Sequence, residues 1–541
     1  MNALEIVPSL RADPTDAARY RAAGWWSDLT LSQRVANLAA TKPEQPAWIT
    51  PEGSIGWGAY DRAANRLAAL IAAKRMASGA RVAVLLPDGP AVHAALLAVE
   101  RAGMIAVGIG ARAGLSEIAH LLERTGAQLL ISHAQIRDRT IEALVAAVQA
   151  QGGAIQDWLV IPDLIAERNW SAGEVPDHPP FPEPDPDALF LINSTSGTTG
   201  MPKCVMHTQN RWFYFHQLAA EAGRFGTDEI FMGAVPAPFG FGLWTAHFSP
   251  TILGCPTVVL PKFDAGVALD LIERERVTVL CCVSTQFIML LNEQAERPRD
   301  LSSLRSMFTG GEAVPYRRAA EFEEVTGAAV LQFYGSNETG ALSRTTASDS
   351  RDHRLTTAGR IIPEMNVRLF DPATGGEVDG RGQPACRGPA ICLGYWDDDE
   401  ANAKLFMPDG WMLMGDIVEV DAEDYLRVVG RTSEFIIRGG KNLSAPAIEA
   451  EVATHPAIAL VAAVAAPDPV FGERVCIYVA PRPNHEVTLE AITSHLATRG
   501  VSREWFPEYL VLMDDLPRSS GGKVAKGELA ADAKQRWAVP A

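Results

Sequence analysis

Short apolar runs alternate with amphipathic stretches along the chain from about residue 80. RVAVLLPD, MIAVGIG and QLLISHA predict buried strands, and the intervening GPAVHAALLAVERAG and LSEIAHLLERTGA have helical spacing. Such alternation predicts βα units whose parallel sheet is covered on both faces. A proline-rich connector, EVPDHPPFPEPDPDA, follows, and the alternation then resumes. The pattern therefore predicts two α/β subdomains.

From about residue 360 the pattern changes to short strands separated by Gly, Pro and Asp turns. That spacing predicts a small antiparallel sheet or a distorted β-barrel. Beyond Arg431 the helix SAPAIEAEVATH, the strands ALVAAVAA and RVCIYVA, and the helix LEAITSHLATRG predict one further α+β unit. The predicted fold class is α/β, with a large N-terminal domain over residues 1–431 and a small α+β domain over residues 432–541.

Composition excludes some classes of partner. Lys and Arg number 48 against 65 Asp and Glu, a formal charge of −17, and nucleic-acid binding needs the opposite sign. Seven scattered cysteines without C-x-x-C spacing predict buried thiols in a reducing compartment. The N-terminus lacks the features of a secretion signal, and no apolar run reaches 18 residues. We therefore expect a cytoplasmic protein without membrane insertion, and the sequence leaves open whether it forms a homo-oligomer.

The most informative segment is FLINSTSGTTGMPKC, in which an apolar strand runs into a Ser/Thr/Gly loop and Lys203. Glycines let backbone N–H groups converge on an anion, hydroxyls add donors, and a lysine supplies a point charge for phosphate. The spacing G-x-x-x-x-G-K-[ST] is not satisfied, because Met-Pro separates Gly200 from Lys203. A polar surface turn is the alternative interpretation of such a loop. The candidate phosphate-binding residues are Ser194, Thr195, Ser196, Gly197, Thr198, Thr199, Gly200 and Lys203.

Five further segments follow in order: FTGGEAVP, QFYGSNETG, GWMLMGDIVEVDAEDYLRVVGR, EFIIRGGKNLSAPAIE and PRSSGGKVAKGEL. Together with STSGTTGMPK they resemble the signatures of the adenylate-forming enzymes, over roughly residues 30 to 530. That superfamily includes acyl-CoA synthetases, aryl-acid ligases, peptide-synthetase adenylation domains and firefly-type luciferases. The resemblance implies that a carboxylic acid and ATP give acyl-AMP and pyrophosphate, and that a thiol then displaces AMP. It also implies Mg²⁺, coenzyme A as co-substrate, and a C-terminal domain that rotates between the two steps.

The resemblance assigns roles residue by residue. Lys523 corresponds to the lysine that bridges the carboxylate and the α-phosphate, and a compact ammonium suits two approaching anions. Glu338 corresponds to the acid that holds Mg²⁺ against the phosphates. Lys203 completes the predicted catalytic set. The remaining predicted cofactor-binding residues are Gly311, Glu312, Tyr334 (on adenine), Gly335, Asn337 (usually Thr), Asp416 (on the ribose hydroxyls), Arg431, and Gly439 and Gly440 of the pantetheine tunnel. Ser433 takes the hinge position, where relatives usually carry Asp or Lys.

The segment VPAPFGFGLWTAHF corresponds to the acyl-pocket region of the family. Phe239 takes the place of the usual histidine, and Phe241, Trp244 and Gly310 complete the predicted pocket. Apolar aromatic residues favour a bulky uncharged acyl group, although Phe241 and Trp244 are equally compatible with packing of the core. The aspartate that holds the ammonium of an amino-acid substrate is missing from this region.

YRAAGWWSDLTL and SEFIIRGGKNLSAPAIEAEV are similar to ligases for cyclic carboxylic acids, of the cyclohexanecarboxylate–CoA ligase type. The predicted function is therefore ligation of a cyclic acid to coenzyme A. The alternatives are an aryl- or acyl-adenylating enzyme that loads a carrier protein, a medium-chain fatty acyl-CoA ligase, and a luciferase-like oxygenase. A nucleotide-binding protein without catalysis would leave Lys203, Glu338 and Lys523 idle. The sequence holds no fused carrier domain, which favours coenzyme A as the acceptor.

Overall fold

The structure is a computed structural model that describes residues 11–153, 155, 157–194, 201–311, 314–431, 435–438, 441–483, 485–518 and 524–537. For residues 431, 435, 437, 441 and 442 it describes the backbone alone.

The described strands up to residue 431 are, in chain order, β1 (Pro46–Thr50), β2 (Gly53–Gly56), β3 (Arg81–Leu86), β4 (Ile105–Gly110), β5 (Leu129–Ser132), β6 (Gln135–Ile136), β7 (Arg139–Thr140), β8 (Asp157–Val160), β9 (Leu189–Ser194), β10 (Cys204–Thr208), β11 (Phe231–Gly233), β12 (Thr257–Val259), β13 (Val279–Cys281), β14 (Ser306–Gly310), β15 (Ala329–Ser336), β16 (Gly340–Arg344), β17 (Arg360–Ile361), β18 (Arg368–Phe370), β19 (Glu377–Val378), β20 (Arg381–Cys386), β21 (Met412–Leu413), β22 (Asp416–Val420) and β23 (Leu426–Arg431).

The described helices of the same region are α1 (Pro14–Ala22), α2 (Leu31–Thr41), α3 (Trp57–Ala72), α4 (Pro90–Arg101), α5 (Leu115–Thr125), α6 (Ile141–Gln149), α7 (Gln209–Gly223), α8 (Gly240–Gly242), α9 (Ser249–Leu253), α10 (Ala265–Glu275), α11 (Ser284–Glu296), α12 (Tyr316–Thr326), α13 (Arg351–Thr356) and α14 (Asp399–Leu405). A π-helical turn, Leu243–Phe248, joins α8 to α9. Several helices begin at side-chain caps; Thr30 and Gln33 form a reciprocal capping box at the start of α2.

Two sheets form the α/β body. Among the described residues, six strands form the first sheet in the order β10-β9-β4-β3-β5-β8, and nine form the second in the order β17-β16-β15-β14-β13-β11-β12-β1-β2. The central pairs of both sheets are parallel, and the antiparallel pairs lie towards the edges. The β3 and β4 side chains are almost all buried, which explains their continuous apolar sequences. The two predicted α/β subdomains are confirmed.

The third unit is an antiparallel sheet in the order β19-β18-β20-β22-β23, with β21 paired to β20. Among the strands that the structure describes, β19 and β23 are not paired with each other, so the sheet is open. Of the two forms expected from the sequence, the antiparallel sheet is the one observed.

The C-terminal α+β unit contains β24 (Phe435–Arg438), β25 (Lys441–Ser444), α15 (Ala445–Val452), β26 (Ile458–Asp468), β27 (Gly472–Pro481), α16 (Leu489–Thr498), β28 (Tyr509–Leu512) and α17 (Lys526–Arg536). Its strands follow the order β25-β24-β27-β26, with β28 parallel to β27. Separate apolar clusters form the cores on the two sides of this sheet, one with α15 and α16 and the other with α17. The domain boundary at residue 431 and the mobility of this unit remain predictions.

Strand pairing brings the predicted motifs together at the ends of the strands. β14 and β15 are parallel and adjacent, so Gly310 lies beside Phe333, one residue before Tyr334. β22 and β23 place Asp416 opposite Arg431.

All seven cysteines are buried, as the sequence predicts. None of the described helices combines the length and the apolar character that crossing a membrane would require.

Candidate active site

Several predicted site residues lie outside the described part of the chain. They are Thr195, Ser196, Gly197, Thr198, Thr199, Gly200, Glu312, Ser433, Gly439, Gly440, Lys523 and the side chain of Arg431. The described structure contains the two strands that flank the predicted phosphate loop: Ser194 closes β9, and Lys203 directly precedes β10. Ser194 pairs with Cys204 across these two antiparallel strands.

Glu338 and Lys203, two of the predicted catalytic residues, meet at Tyr395. The Tyr395 hydroxyl donates to Glu338 Oε1 at 2.7 Å, and Lys203 Nζ lies 4.7 Å from the centre of the Tyr395 ring. Glu338 belongs to the turn between β15 and β16. Burial and the Glu338 carboxylate raise the pKa of Tyr395, so its hydroxyl stays protonated and remains a donor. The fold thus brings a carboxylate and an ammonium to opposite parts of one tyrosine.

The Glu338 carboxylate has the chemistry of a magnesium ligand. Mg²⁺ prefers carboxylate oxygens and usually keeps several waters besides one or two protein ligands. Tyr395 occupies Oε1, and Oε2 accepts no hydrogen bond from any residue that the structure describes. Glu338 as a residue is half-buried, so it is not enclosed in the core. The residue therefore fits the predicted magnesium site.

Three residues that are predicted to bind the nucleotide lie next to one another in the fold. The Tyr334 hydroxyl donates to Asp416 Oδ2 at 2.9 Å. Asp416 opens β22, is only 7% exposed, and has Arg431 as its cross-strand neighbour on β23. The hydrogen bond fixes the orientation of the Asp416 carboxylate. A fixed orientation is what binding of two ribose hydroxyls by this carboxylate would require. Motifs that are separated by up to 97 residues in the printed sequence are therefore adjacent in the fold.

The predicted acyl-pocket residues differ in exposure. Phe239 and Phe241 are half-buried, whereas Trp244 is 2% exposed. Trp244 lies 4.8 Å from Phe215, 5.4 Å from Phe241 and 5.5 Å from Phe333, measured between ring centroids. Trp244 therefore packs in an aromatic cluster, and Phe239 and Phe241 are the side chains that remain available for a ligand.

Two predicted glycines lie where no side chain would fit. A Cβ on Gly310 would lie 2.5 Å from the Phe333 carbonyl oxygen, and one on Gly335 would lie 1.6 Å from that of Gly340. Gly311 adopts φ +80°, a conformation that glycine alone takes up readily. The close packing of these strands therefore accounts for the glycines, and their contact with substrate remains a prediction.

Four buried or half-buried polar residues, Asn193, His207, Arg211 and Asn337, form what we call the Asn193 network. Asn193 Oδ1 accepts from His207 Nε2 and from Asn337 Nδ2, both at 2.7 Å, and Asn193 Nδ2 donates to the Pro238 carbonyl at 2.9 Å. Arg211 Nη1 lies 2.6 Å from His207 Nδ1 and donates to the Asn337 carbonyl at 2.9 Å. The network joins the segment at Pro238, next to the predicted acyl-pocket residue Phe239, to the turn that carries Glu338.

A second buried polar chain consists of Asp88, His93 and His247. His93 Nε2 lies 3.3 Å from Asp88 Oδ1, and His93 Nδ1 lies 3.1 Å from His247 Nδ1. His93 also stacks on Trp48 with ring centroids 3.8 Å apart. Burial raises the pKa of Asp88 to about 8 and lowers that of His93 to about 3, so both groups are mainly uncharged at neutral pH. The chain anchors the π-helical turn that carries Trp244.

Two residues with catalytic chemistry have structural roles. Cys204 follows the loop lysine, but it is 2% exposed, and burial raises the pKa of its thiol to about 12. A thiol of that pKa is a poor nucleophile at neutral pH. Asp264 accepts a hydrogen bond from the Val267 N–H at 3.0 Å and caps the N-terminus of α10.

Sequence reasoning missed Tyr395, His207, Arg211 and the Asp88 chain. Tyr395 lies in ICLGYW, where the sequence predicts only strand structure. The sequence did contain signs of this network, namely polar residues inside apolar segments. His207 interrupts the apolar strand β10, and Arg211 directly precedes four aromatic residues of α7. A charged or ring-nitrogen side chain inside a core requires partners, so such positions are candidates for networks.

Family models match two segments of the chain. The model of the AMP-binding enzymes matches residues 35–396, and that of the AMP-binding enzyme C-terminal domain matches residues 447–523. The chain belongs to the AMP-binding enzymes. The adenylate-forming superfamily predicted from the motifs is thereby confirmed, and with it the enzyme class, an AMP-forming acid–thiol ligase of the acyl-CoA synthetase type.

Similar proteins extend over nearly the whole of this AMP-binding enzyme. It is 28% identical over 536 residues to a medium-chain fatty-acid–CoA ligase of Escherichia coli K12, covering 96% of this chain and 93% of the relative. It is 31% identical over 485 residues to a feruloyl-CoA synthase of an Amycolatopsis species, covering 88% and 93%. The crystal structure of ATP-bound MatB from Rhodopseudomonas palustris superposes with a TM-score of 0.81 at 25% identity, covering 94% and 100%.

Proposed function

We propose that this AMP-binding enzyme is a carboxylate–CoA ligase for a cyclic acid, alicyclic or aromatic, with cyclohexanecarboxylate as the leading candidate. The proposal rests on the position of the Phe239–Phe241 loop relative to the Glu338 turn. Gly240 separates the two phenylalanines, and a Cβ on it would lie 2.7 Å from Asn337 Oδ1. An apolar aromatic loop therefore adjoins the turn whose carboxylate suits Mg²⁺, as ligation of an acid with a bulky uncharged acyl group requires.

In the first step a carboxylate oxygen attacks the α-phosphorus of ATP. The new O–P bond forms as the bond from the α-phosphorus to the β-phosphate oxygen breaks, and pyrophosphate leaves. Both reactants are anions, so cations and oriented donors must reduce their repulsion. We assign this work to Lys203, to the phosphate loop and to Lys523 of the C-terminal domain. Glu338 would hold Mg²⁺, which would supply further positive charge beside the phosphates.

Tyr395 fixes the orientation of Glu338. Its hydroxyl holds Oε1, so Oε2 is the oxygen that would bind the cation. Tyr334 similarly holds Asp416 for the ribose hydroxyls. In this assignment the two tyrosines orient carboxylates, and the carboxylates contact the nucleotide.

In the second step the thiol sulfur of coenzyme A attacks the acyl carbon. The C–S bond forms, the C–O bond to AMP breaks, and the thiol proton is released to solvent. We assign residues 1–431 to an adenylation domain and residues 432–541 to a mobile domain. Gly439 and Gly440 would admit the thin pantetheine arm, and Ser433 would act as the hinge.

The test is a panel of acids assayed for AMP, pyrophosphate and thioester, with and without coenzyme A. Cyclohexanecarboxylate, benzoate and octanoate distinguish alicyclic, aromatic and medium-chain substrates, and a phosphopantetheinylated carrier protein replaces coenzyme A in a parallel series. We expect coenzyme A-dependent AMP release and the highest kcat/KM with a cyclic acid. Full turnover without a thiol, or an absence of thioester, would refute the ligase proposal. Preference for octanoate or for the carrier protein would select one of the alternatives instead.

A variant pair tests the pocket. Phe239→Ala removes a half-buried ring beside the Glu338 turn, and Phe181→Ala removes an exposed ring in the proline-rich connector as the matched control. We expect Phe239→Ala to lower kcat/KM for the cyclic acid by about 10-fold or more, the scale of a buried aromatic contact, while KM for ATP changes little. An equal loss with Phe181→Ala would contradict the assignment of Phe239 to the pocket.

A further inference from the structure

The Asn193 network has only one arrangement of hydrogens. A guanidinium stays protonated in proteins and carries no acceptor, so Arg211 can only donate. His207 Nδ1, 2.6 Å from Arg211 Nη1, must therefore accept. A neutral His207 then carries its proton on Nε2 and donates it to Asn193 Oδ1. Burial and the Arg211 charge lower the pKa of His207 well below its usual value, which agrees with this neutral tautomer.

The same logic fixes the two amides. Asn193 Oδ1 receives hydrogen bonds from His207 and Asn337, so its Nδ2 faces the Pro238 carbonyl at 2.9 Å and Asn337 Oδ1 at 3.4 Å. Asn193 therefore uses both lone pairs of its oxygen and both hydrogens of its nitrogen. Because Asn193 is 1% exposed, water does not replace a lost partner readily.

Arg211 extends the network to the backbone around Glu338. Nη1 donates to the Asn337 carbonyl at 2.9 Å, Nη2 to the Glu338 carbonyl at 3.2 Å, and Nε to the Ala390 carbonyl at 2.8 Å. A displacement of the Glu338 turn therefore moves acceptors of a buried charged donor. Such hydrogen bonds are costly to break, because the charge would remain buried without its partners.

We propose that Asn193 is a positioning residue that couples the acid pocket to the nucleotide site. Its Nδ2 donates to the carbonyl of Pro238, which precedes Phe239 of the acid pocket. Its Oδ1 accepts from the side chain of Asn337, which precedes Glu338 of the nucleotide site. ATP that fixes the Glu338 turn thereby fixes the loop that receives the acid, and the acid acts on ATP in the same way. This inference rests on the proposed function, since it requires both substrates to bind at these positions.

Coupling of this kind is reciprocal and measurable as an affinity ratio. Calorimetry gives the Kd of cyclohexanecarboxylate with and without Mg²⁺ and α,β-methylene-ATP, and the Kd of the analogue with and without the acid. Typical couplings between sites range from about 5-fold to 150-fold. We expect the wild-type enzyme to bind each ligand at least about 5-fold more tightly in the presence of the other.

Two variants that each remove one buried amide distinguish a loss of coupling from a loss of stability. Asn193→Ala removes the amide that joins the loops. Asn210→Ala removes another fully buried amide, which accepts from the Ser27 N–H and donates to Asp187. We expect Asn193→Ala to reduce the affinity ratio to about 1 and Asn210→Ala to keep the wild-type ratio, even if both lower the melting temperature.

Should Asn193→Ala not fold, Asn337→Ser breaks the amide pair from the other side, and the same loss of the ratio is expected. Retention of the ratio in folded Asn193→Ala or Asn337→Ser would overturn the proposal. Loss of the ratio in both Asn193→Ala and Asn210→Ala, or a wild-type ratio of 1, would also overturn it. A wild-type enzyme that binds neither ligand would instead refute the proposed function, and with it the coupling. A double-mutant cycle with Asn193→Ala and Asn337→Ala must also show a non-additive loss, since both residues act through one contact.

Discussion

The hydroxyl of Tyr395 donates a hydrogen bond to Glu338 Oε1 at 2.7 Å. Tyr395→Phe removes this donor and keeps the ring beside Lys203. A hydrogen bond to a charged group contributes about 1.5–3 kcal/mol, so we expect kcat/KM for ATP to fall at least about 10-fold. Initial rates at saturating acid and varied ATP and Mg²⁺ measure the change. Tyr395→Leu, which also removes the ring, should lose more, and an unaltered Tyr395→Phe enzyme would show that Glu338 does not depend on this hydroxyl.

The Tyr334–Asp416 pair predicts how the enzyme distinguishes nucleotides. Asp416→Asn replaces one carboxylate acceptor by an amide donor, so the preference for ATP over 2′-deoxy-ATP should fall. Tyr334→Phe leaves the carboxylate in place but removes its 2.9 Å hydrogen bond, and we expect a smaller decrease in the same preference. The ratio of kcat/KM for the two nucleotides is the measurement. A preference that is unchanged in Asp416→Asn would exclude the ribose as its ligand.

Lys523 provides a test of the two half-reactions. Lys523→Ala should abolish formation of acyl-AMP and largely spare the transfer of a supplied acyl-AMP to coenzyme A, because only the first step brings two anions together. Pyrophosphate exchange and thioester formation measure the two steps separately.

Lys526→Ala is the matched control, three residues further along. Its Nζ lies 2.9 Å from Glu449 Oε1 within the C-terminal unit, so we expect both steps to persist. Equal loss of both half-reactions in Lys523→Ala would remove the assigned role of that lysine.

Asp88 predicts a pH dependence of stability. Burial raises its folded-state pKa from 3.8 to about 8, so between these values the folded protein binds more protons than the unfolded chain. This contribution to stability therefore falls as the pH rises through that window. His93 acts in the opposite direction, since its pKa is lowered from 6.5 to about 3, and its contribution is complete above pH 6.5. Between pH 6.5 and 8 the Asp88 effect should dominate.

Asp88→Asn removes the titrating group and keeps a similar shape. The difference in unfolding free energy between variant and wild type should rise by about 1–2 kcal/mol from pH 6.5 to pH 8. Denaturant titrations of the two proteins at both pH values measure this difference, in which all other titrating groups cancel. A difference that does not vary with pH would show that Asp88 titrates near its ordinary value.

Local patterns predicted the parts of the fold that depend on local sequence. The alternation of β3, α4, β4, α5 and β5 was predicted, because each element shows its burial in its own residues. The antiparallel unit was predicted only as a sheet or a barrel, since closure depends on whether distant strands such as β19 and β23 pair. β1 likewise joins β12 in the second sheet across about two hundred residues, a pairing that neither strand encodes alone.

The site shows the same limit. Asp416 and Tyr334 were predicted because they lie in motifs, and the structure adds their hydrogen bond. Tyr395 and Arg211 were missed because their partners are 57 and about 127 residues away. Moreover, Arg211 holds backbone carbonyls, and any residue in the partner turn supplies the same carbonyl. A contact of that kind therefore cannot be predicted from the identity of the partner residue.

The burial of all seven cysteines has a practical consequence for testing the predicted motion of the C-terminal unit. A maleimide dye reacts with exposed thiolates, whereas the native thiols are buried. Burial also raises the pKa of Cys204 and of Cys476 to about 12. A cysteine introduced on the exposed Val470 and another on the body would then be the reactive pair in an otherwise unlabelled protein. Single-molecule fluorescence would then show whether the predicted domain rotation occurs, without removal of any native cysteine.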